Sequence, residues 1–446
     1  MNLINKPEFI FVVLALIFGL IFVFANPPFQ VPDENSHFYK AFEISQGHLI
    51  PKSNIAQIPT SILTINTFPS NTIMNNFSKI SFYLSQPLNL NETSTINIAN
   101  IAIYPPLPYL ATGAIIFLGG LFNSSPLFLM YLCRLINLLI YVIIVYYGIK
   151  IIPIHKNILL LLALMPVTLY EASSLSADSL NFAVSFLTVG FFLYLALVKD
   201  KIYNKDILIS MILVFVLAFS KQAYALLGLL FFIIPKEKFE NKIKRIVSFL
   251  IVSLPSMISL ITWNLLFKST YASPNSGIVS SDYNIQFILS NPLNFPTILI
   301  NTLISTPGFI ATFVGGFRRL TSNLPLNLIF LYCVILVFVS LLSTSKYKLS
   351  FRQKLVPLFI FLVVSLLTFL FEFITYTPRG SNIIQGLQGR YFVPVAPLFL
   401  LVFYNNKLFN YISTKIKFRR NECICLLYVF IIIVLTISSY IIYYAI

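Results

Sequence analysis

Phe9-Ile-Phe-Val-Val-Leu-Ala-Leu-Ile-Phe-Gly-Leu-Ile-Phe-Val-Phe-Ala25, followed at once by Asn26-Pro-Pro-Phe-Gln-Val-Pro-Asp33-Glu34-Asn-Ser-His37-Phe-Tyr39, is the stretch on which the fold turns. Its first part carries no charge and is long enough to cross hydrocarbon as a helix. Val23-Phe24-Ala25 also satisfies the small-residue rule of a cleaved signal peptide, but a retained anchor suits a chain with many such runs better; either way the segment after Ala25 is exported. The rest of the chain has the same character. Apolar residues make up 58%, charged residues 10%, and the mean hydropathy is +0.86. A soluble domain averages roughly 45–50% apolar and 25% charged. The expectation is an all-α integral membrane protein forming a single domain over 1–446.

Further apolar runs lie near 105–122, 127–149, 158–172, 178–198, 206–219, 222–235, 245–267, 297–314, 325–343, 355–374, 390–404 and 423–445, giving about thirteen candidates in all. The net charge of +16 is read as topology rather than nucleic-acid affinity, because Lys and Arg collect in cytoplasmic loops. If 105–122 crossed, the groups Lys150/Lys156, Lys199/Lys201/Lys205 and Lys236/Lys238/Lys242/Lys244/Arg245 would all lie outside. Pro105, Pro106, Pro108 and Gly119-Gly120 instead suit a broken, shallow segment. The same argument, applied to 297–314 and the following Gly315-Gly316-Phe317-Arg318-Arg319, keeps Lys346, Lys348, Arg352, Lys354, Lys407, Lys415, Lys417, Arg419 and Arg420 inside. The expected arrangement has about eleven spans, within a range of roughly ten to thirteen. The N-terminus is cytoplasmic, and two exported loops, 26–126 and 268–324, carry interfacial helices. The four cysteines suggest neither a disulfide framework nor a zinc site.

Asp33 after Pro32 suits a helix N-cap, with Glu34 to Gln46 as a short amphipathic helix and Gly47 as its stop. His37 then stands one turn from Asp33 on the same side. Arg134 falls roughly 10 Å into its span at 1.5 Å per residue and needs a partner; Glu171, Asp178 and Glu372 are the candidates. Glu372 has no assigned role.

The motif Pro32-Asp33-Glu34-x-x-His37-Phe38-Tyr39, placed directly after a first span, resembles a family of bacterial polytopic membrane proteins of unassigned function related to the GT-C glycosyltransferases. Tyr104-Pro105-Pro106-Leu107-Pro108-Tyr109 is similar to an element of protein O-mannosyltransferases and aminoarabinose transferases. Arg134 with Asn137, Ser176-Ala-Asp178, Lys221-Gln-Ala-Tyr224 and Gly389-Arg390-Tyr391-Phe392-x-Pro394 extend the resemblance along most of the chain.

That resemblance implies a GT-C-like bundle that moves a sugar from a polyprenyl phosphate carrier to a cell-surface glycan on the outer side of the cytoplasmic membrane. Such chemistry needs a base for the acceptor hydroxyl and cations for the leaving phosphate. Asp33 is the favoured base, with Glu34 as second acid or as a metal or acceptor contact. Arg390, Lys221 and Arg379 are the candidates for donor phosphate. His37, Tyr104, Arg134, Asp178 and Tyr391 are supporting residues. Asp33, Glu34 and Asp178 carry oxygen donors suited to a hard divalent cation, and metal use stays open. No nucleotide-binding glycine loop is present. Two rival functions share the same needs: a lipid-linked glycan flippase or transporter, and a polysaccharide polymerase or ligase. The absence of internal repeats weighs against a duplicated transporter.

Overall fold

The computed structural model describes residues 6–50, 54–68, 77–102, 104–266, 279–305, 308–318, 320–343, 345–405 and 420–444. Lys407, Lys415, Lys417 and Arg419, and the start of the second loop, lie outside the described residues.

The bundle is organised around three packed helices: α1 (Pro7–Ala25), then α4 (Pro126–Ile151) and α7 (Asp178–Leu197). Between α1 and α4 come α2 (Glu34–Ser45), strands β1 (Ile55–Pro59) and β2 (Thr93–Asn97), and α3 (Leu110–Leu121). Between α4 and α7 lie α5 (Lys156–Ala163) and α6 (Pro166–Ala172). Pro126 at the first turn of α4 leaves no helical donor wasted, and the Ser125 side chain accepts from Phe128 N at 3.2 Å. Gly148 and Gly190 let α4 and α7 approach closely. A Cβ on Gly190 would stand 3.0 Å from Gly148 O, and one on Gly148 would stand 3.3 Å from Leu187 Cα.

The break between α5 and α6 shows how this core meets the demands of an apolar interior. Pro166 has no N–H to continue the helix, so carbonyls at the end of α5 lose their partners. Tyr141 donates its hydroxyl to Ala163 O (2.7 Å) and Tyr332 donates to Leu161 O (2.8 Å). Both tyrosines are fully buried. Unpaired carbonyls would be far more costly here than at a wet surface.

The second half runs through α8 (Asn204–Ala218), a 3-10 helix at Gln222–Ile233, α9 (Lys242–Leu266), α10 (Ser281–Ser290), α11 (Asn294–Ser305), α12 (Gly308–Gly315), strands β3 (Gly316–Phe317) and β4 (Ser322–Asn323), α13 (Leu326–Leu341) and α14 (Phe351–Tyr376). It ends with the 3-10 helix Gly389–Val395, α15 (Ala396–Leu400) and α16 (Arg420–Tyr444). Ser350 and Gln353 form a reciprocal capping box that starts α14.

Among the described residues, six helices are long and apolar enough to cross a membrane: α1, α4, α7, α9, α14 and the stretch Glu422–Tyr444 of α16. The pair α10 and α11, bent by 112°, would bring the number to seven. The chain is thus a mostly helical protein with several membrane-crossing helices. Two segments expected to be shallow are short: α3 has 12 residues, and 297–314 is divided between α11 and α12.

An all-α description needs correction. β1 pairs antiparallel with β2, and β3 with β4. The first loop is a folded cap, in which Phe38, Ala41, Phe42, Ile58, Ile98, Ile101 and Ile116 share a buried cluster. Its abundant Asn, Ser and Thr concealed that core.

Candidate functional site

The helix α2 starts and stops where Asp33 and Gly47 suggest, but Asp33 does not cap it with its side chain. Its backbone is left-handed (φ 60°, ψ 8°), and no capping hydrogen bond forms. A short polar residue tolerates this region better than most. Asp33 remains exposed, whereas Glu34 beside it is completely buried.

Glu34 is held by Arg134, which is a correction to the expected partners Glu171, Asp178 and Glu372. Arg134 Nε donates to Glu34 Oε1 at 2.7 Å and Nη2 to Oε2 at 2.6 Å. The remaining guanidinium donors go to Val23 O (2.9 Å), Asn26 O (2.7 Å) and Pro27 O (3.1 Å). Arginine has five N–H donors in a fixed fork, and all are used. Glu34 also accepts from Phe29 N at 3.0 Å and Leu175 N at 3.4 Å. With four donors around two oxygens, Glu34 has no lone pair left for a substrate, proton or metal. Both members of the pair therefore act as structural fasteners between the end of α1, the following loop and α4. The expected role of Glu34 as a second acid is withdrawn on this geometry.

A second group of charges forms where α6, α7, Lys221 and the 3-10 helix at Gly389 converge. Lys221 Nζ donates to Asp178 Oδ1 at 3.0 Å and lies 4.4 Å from the centre of the Tyr391 ring. Arg390 Nη1 donates to Glu171, and its Nε stands 3.6 Å from Asp178 Oδ2. Tyr224 donates to Tyr391 O at 2.8 Å. Gly389 explains how Arg390 is delivered. Its N–H donates to Thr312 Oγ1 at 2.7 Å, and a Cβ there would collide with Phe309 O at 2.1 Å. Only glycine permits the chain to pass that close to α12.

His37 joins α2 to this group. Its Nδ1 shares a 2.8 Å hydrogen bond with Tyr109 Oη, and its ring lies 6.3 Å from that of Tyr104. Burial lowers the His37 pKa to about 4; Asp33 and Asp178 oppose the shift, while Arg390 and Lys221 add to it. All four charges therefore act on one imidazole, which is neutral near pH 7. Burial likewise raises the Tyr104 hydroxyl, which feels Lys221, Asp178, Asp33 and Glu372.

Asp178, Lys221, Arg390 and Tyr391 thus stand in mutual contact, and the charges of Asp33, Asp178, Lys221 and Arg390 all act on His37. Arg379 stands apart: it lies 5.8 Å from the Tyr283 ring, on an exposed loop. Arg390 is not an open phosphate fork, since Glu171 and Asp178 engage it. Lys221, with 25% of its side chain exposed against 5% for Arg390, is the cation that reaches outward. Glu171, Tyr109, Tyr224 and Glu372 are site residues that sequence reasoning left without a role there. Tyr109 and Tyr224 do fall inside the quoted motifs; Glu372 and Glu171 gave no signal beyond being carboxylates in apolar surroundings. Among the described residues, no group of three or more His, Cys, Asp or Glu side chains is placed to hold a metal ion.

The family model described as "Predicted membrane protein (DUF2142)" matches residues 16–399. That is most of the chain, and the chain belongs to this family. No curated protein and no solved structure shows significant similarity to it.

Proposed function

We propose that this member of the DUF2142 family is a GT-C-type glycosyltransferase that takes a sugar from a polyprenyl phosphate and adds it to a cell-surface glycan outside the cytoplasmic membrane. The observation that carries this reading is the exposed Asp33 carboxylate, set in one electrostatic unit with Lys221, Arg390, Asp178 and His37. In the proposed step Asp33 takes the proton of an acceptor hydroxyl. The hydroxyl oxygen bonds to the anomeric carbon, whose bond to the phosphate oxygen breaks with its electron pair leaving on phosphate. Lys221 meets that developing charge, and Arg390 stays behind it, fixed by Glu171. Neutral His37 with Tyr109 and Tyr104 forms the polar wall beside the sugar.

The finer topology belongs to the same proposal. To the six long helices we add α5 with α6, α8, the 3-10 helix Gln222–Ile233, α13 and the segment Gly389–Phe403, which makes about eleven crossings. The 3-10 form favours this, because twelve residues at ~2.0 Å each reach about 24 Å, further than the same residues as α-helix. The N-terminus is then cytoplasmic and the Asp33 site exported, where the lipid bilayer delivers the donor.

The test compares Asp33→Asn with the native protein in a deletion strain, with the surface polymer analysed for a missing sugar. Loss of the sugar with protein level and polymer length unchanged is the expected result. Full modification by the variant would overturn the catalytic assignment. Movement of labelled lipid across proteoliposomes without sugar transfer would favour a flippase instead, and shortened polymer would favour a polymerase or ligase.

A further inference from the structure

A groove of about 510 Å³ opens between the start of α8 and the segment that leads into α9, lined by Tyr203, Asn204, Lys205, Glu240 and Lys244. Its volume falls within the roughly 300–1,000 Å³ common for small-molecule sites. The other end of α8 leads to Lys221, whose N–H donates to Leu217 O at 3.0 Å. The 15 residues of α8 place the groove about 22 Å from that end, remote from the Asp178 cluster.

The charges around the groove are unevenly used. Residues 199–206 and 236–245 together contain eight Lys or Arg and four Asp or Glu. Some of these are consumed by the fold. Lys238 gives its ammonium protons to Leu195 O (3.1 Å), Ala196 O (2.8 Å) and Lys199 O, carbonyls at and just beyond the end of α7. Asp206 accepts from Tyr203 N at 2.9 Å and pairs with Lys199 at 3.2 Å, which withdraws that carboxylate from the groove. Lys201, Lys205, Lys236, Lys242 and Arg245 form no ion pair with a described residue, and the four lysines are exposed. In the groove itself Lys244 pairs with exposed Glu240. An exposed pair of this kind is weak, so the ammonium exchanges partners at little cost.

Apolar surface begins where these cations stop. Leu208, Ile209 and Ile212 follow Lys205 at i+3, i+4 and i+7, so they share its face of α8, and all three are exposed. Val247 and Ile251 follow Lys244 at i+3 and i+7 on α9 and are exposed as well. The two helices pack along one another, so two apolar stripes descend from one groove with a lysine at the head of each. Loop lysines that only set topology need to lie near the membrane surface; they need neither a groove nor stripes aligned with it.

We propose that this groove binds one anionic phospholipid, with its phosphate between Lys205 and Lys244 and its acyl chains on the α8 and α9 stripes. The unpaired cations call for an anion and the stripes for hydrocarbon, and a lipid supplies both in one molecule. Glu240 is the competitor that the headgroup displaces from Lys244. In the topology proposed above, the groove faces the cytoplasmic leaflet. The site does not depend on the reaction proposed at Asp33.

The test titrates the purified full-length protein in detergent with phosphatidylglycerol, phosphatidylcholine or inorganic phosphate, and counts bound molecules by native mass spectrometry. One phosphatidylglycerol should bind, about fivefold more tightly than phosphatidylcholine. Lys205→Gln and Lys244→Gln should each weaken it by about fivefold, and Glu240→Gln should strengthen it, with thermal unfolding reporting that each variant is folded. Lys348→Gln, which removes the same charge from the exposed loop between α13 and α14, should leave the affinity unchanged. Equal binding of phosphatidylcholine, binding of inorganic phosphate in place of the lipid, a groove that retains no lipid, undiminished binding in folded Lys205→Gln, or a loss in Lys348→Gln as large as in Lys205→Gln would each overturn the proposal.

Discussion

Two buried ion-pair systems stand near the same end of this bundle, and they are built on different principles. Around Arg134 and Glu34 every donor and every lone pair is matched, and both side chains are wholly enclosed. Around Asp178, two cations share one carboxylate, Arg390 Nε lacks a hydrogen bond, and Lys221 reaches partway to the surface. A matched pair has nothing left to offer a ligand, so its contribution is to shape. An unmatched one retains electrostatic capacity that a substrate can use. Asp33 and Glu34, adjacent in sequence and alike in chemistry, differ in exposure: Glu34 is completely buried and Asp33 is exposed.

The comparison can be broken at its strongest point first. Arg134→Leu or Glu34→Gln should cost about 3–5 kcal/mol by stranding the other member of a buried pair, read as loss of the monodisperse peak in size-exclusion chromatography of detergent-solubilised protein. A normal peak from either variant would remove the structural assignment. Asp33→Asn should keep that peak and a melting temperature close to native, while sugar transfer falls by roughly 10²–10⁴.

A pH titration of stability sharpens the contrast. The folded His37 pKa of about 4 lies below the ordinary 6.5, so the unfolded chain binds the extra proton between these values. Stability should therefore fall as pH drops from about 6.5 to 4, by up to ~3 kcal/mol, and His37→Gln should flatten that slope. An unchanged slope in the variant would show that His37 does not carry it. Lys221→Gln should lower transfer about tenfold with partial recovery in Lys221→Arg, because charge rather than shape is needed there. The smallest effect is expected at Arg379: Arg379→Gln should alter transfer by less than about twofold, as befits a cation over an exposed ring.

The sequence carried the membrane character and the start and stop of α2, and its motifs contain Asp178, Lys221 and Arg390, which meet in the structure. These follow from apolar run length, from turn chemistry at Pro32 and Gly47, and from motifs that each keep polar residues together. The identity of ion-pair partners was not legible. Glu34 and Arg134 are 100 residues apart, and nothing local distinguishes that match from Arg134 with Glu171. The small sheets were hidden for a related reason: β2 reads Thr93-Ser-Thr-Ile-Asn97, a stretch with little apolar signal that pairs because β1 is positioned to receive it. Arg390 looked available because its carboxylate neighbours arrive from α6 and α7, more than two hundred residues earlier in the case of Glu171.

The Arg134 fork also bears on the order of events during synthesis. All of its acceptors lie between Val23 and Glu34, so they leave the ribosome before the arginine does. At about 5–20 residues per second, the ring of oxygens has several seconds to assemble before α4 emerges. A guanidinium entering hydrocarbon with no counter-group would resist insertion; here the receptor for it is made first. Vectorial translation thus presents α4 to a finished socket, and the burial of its most polar side chain becomes a docking event rather than a barrier.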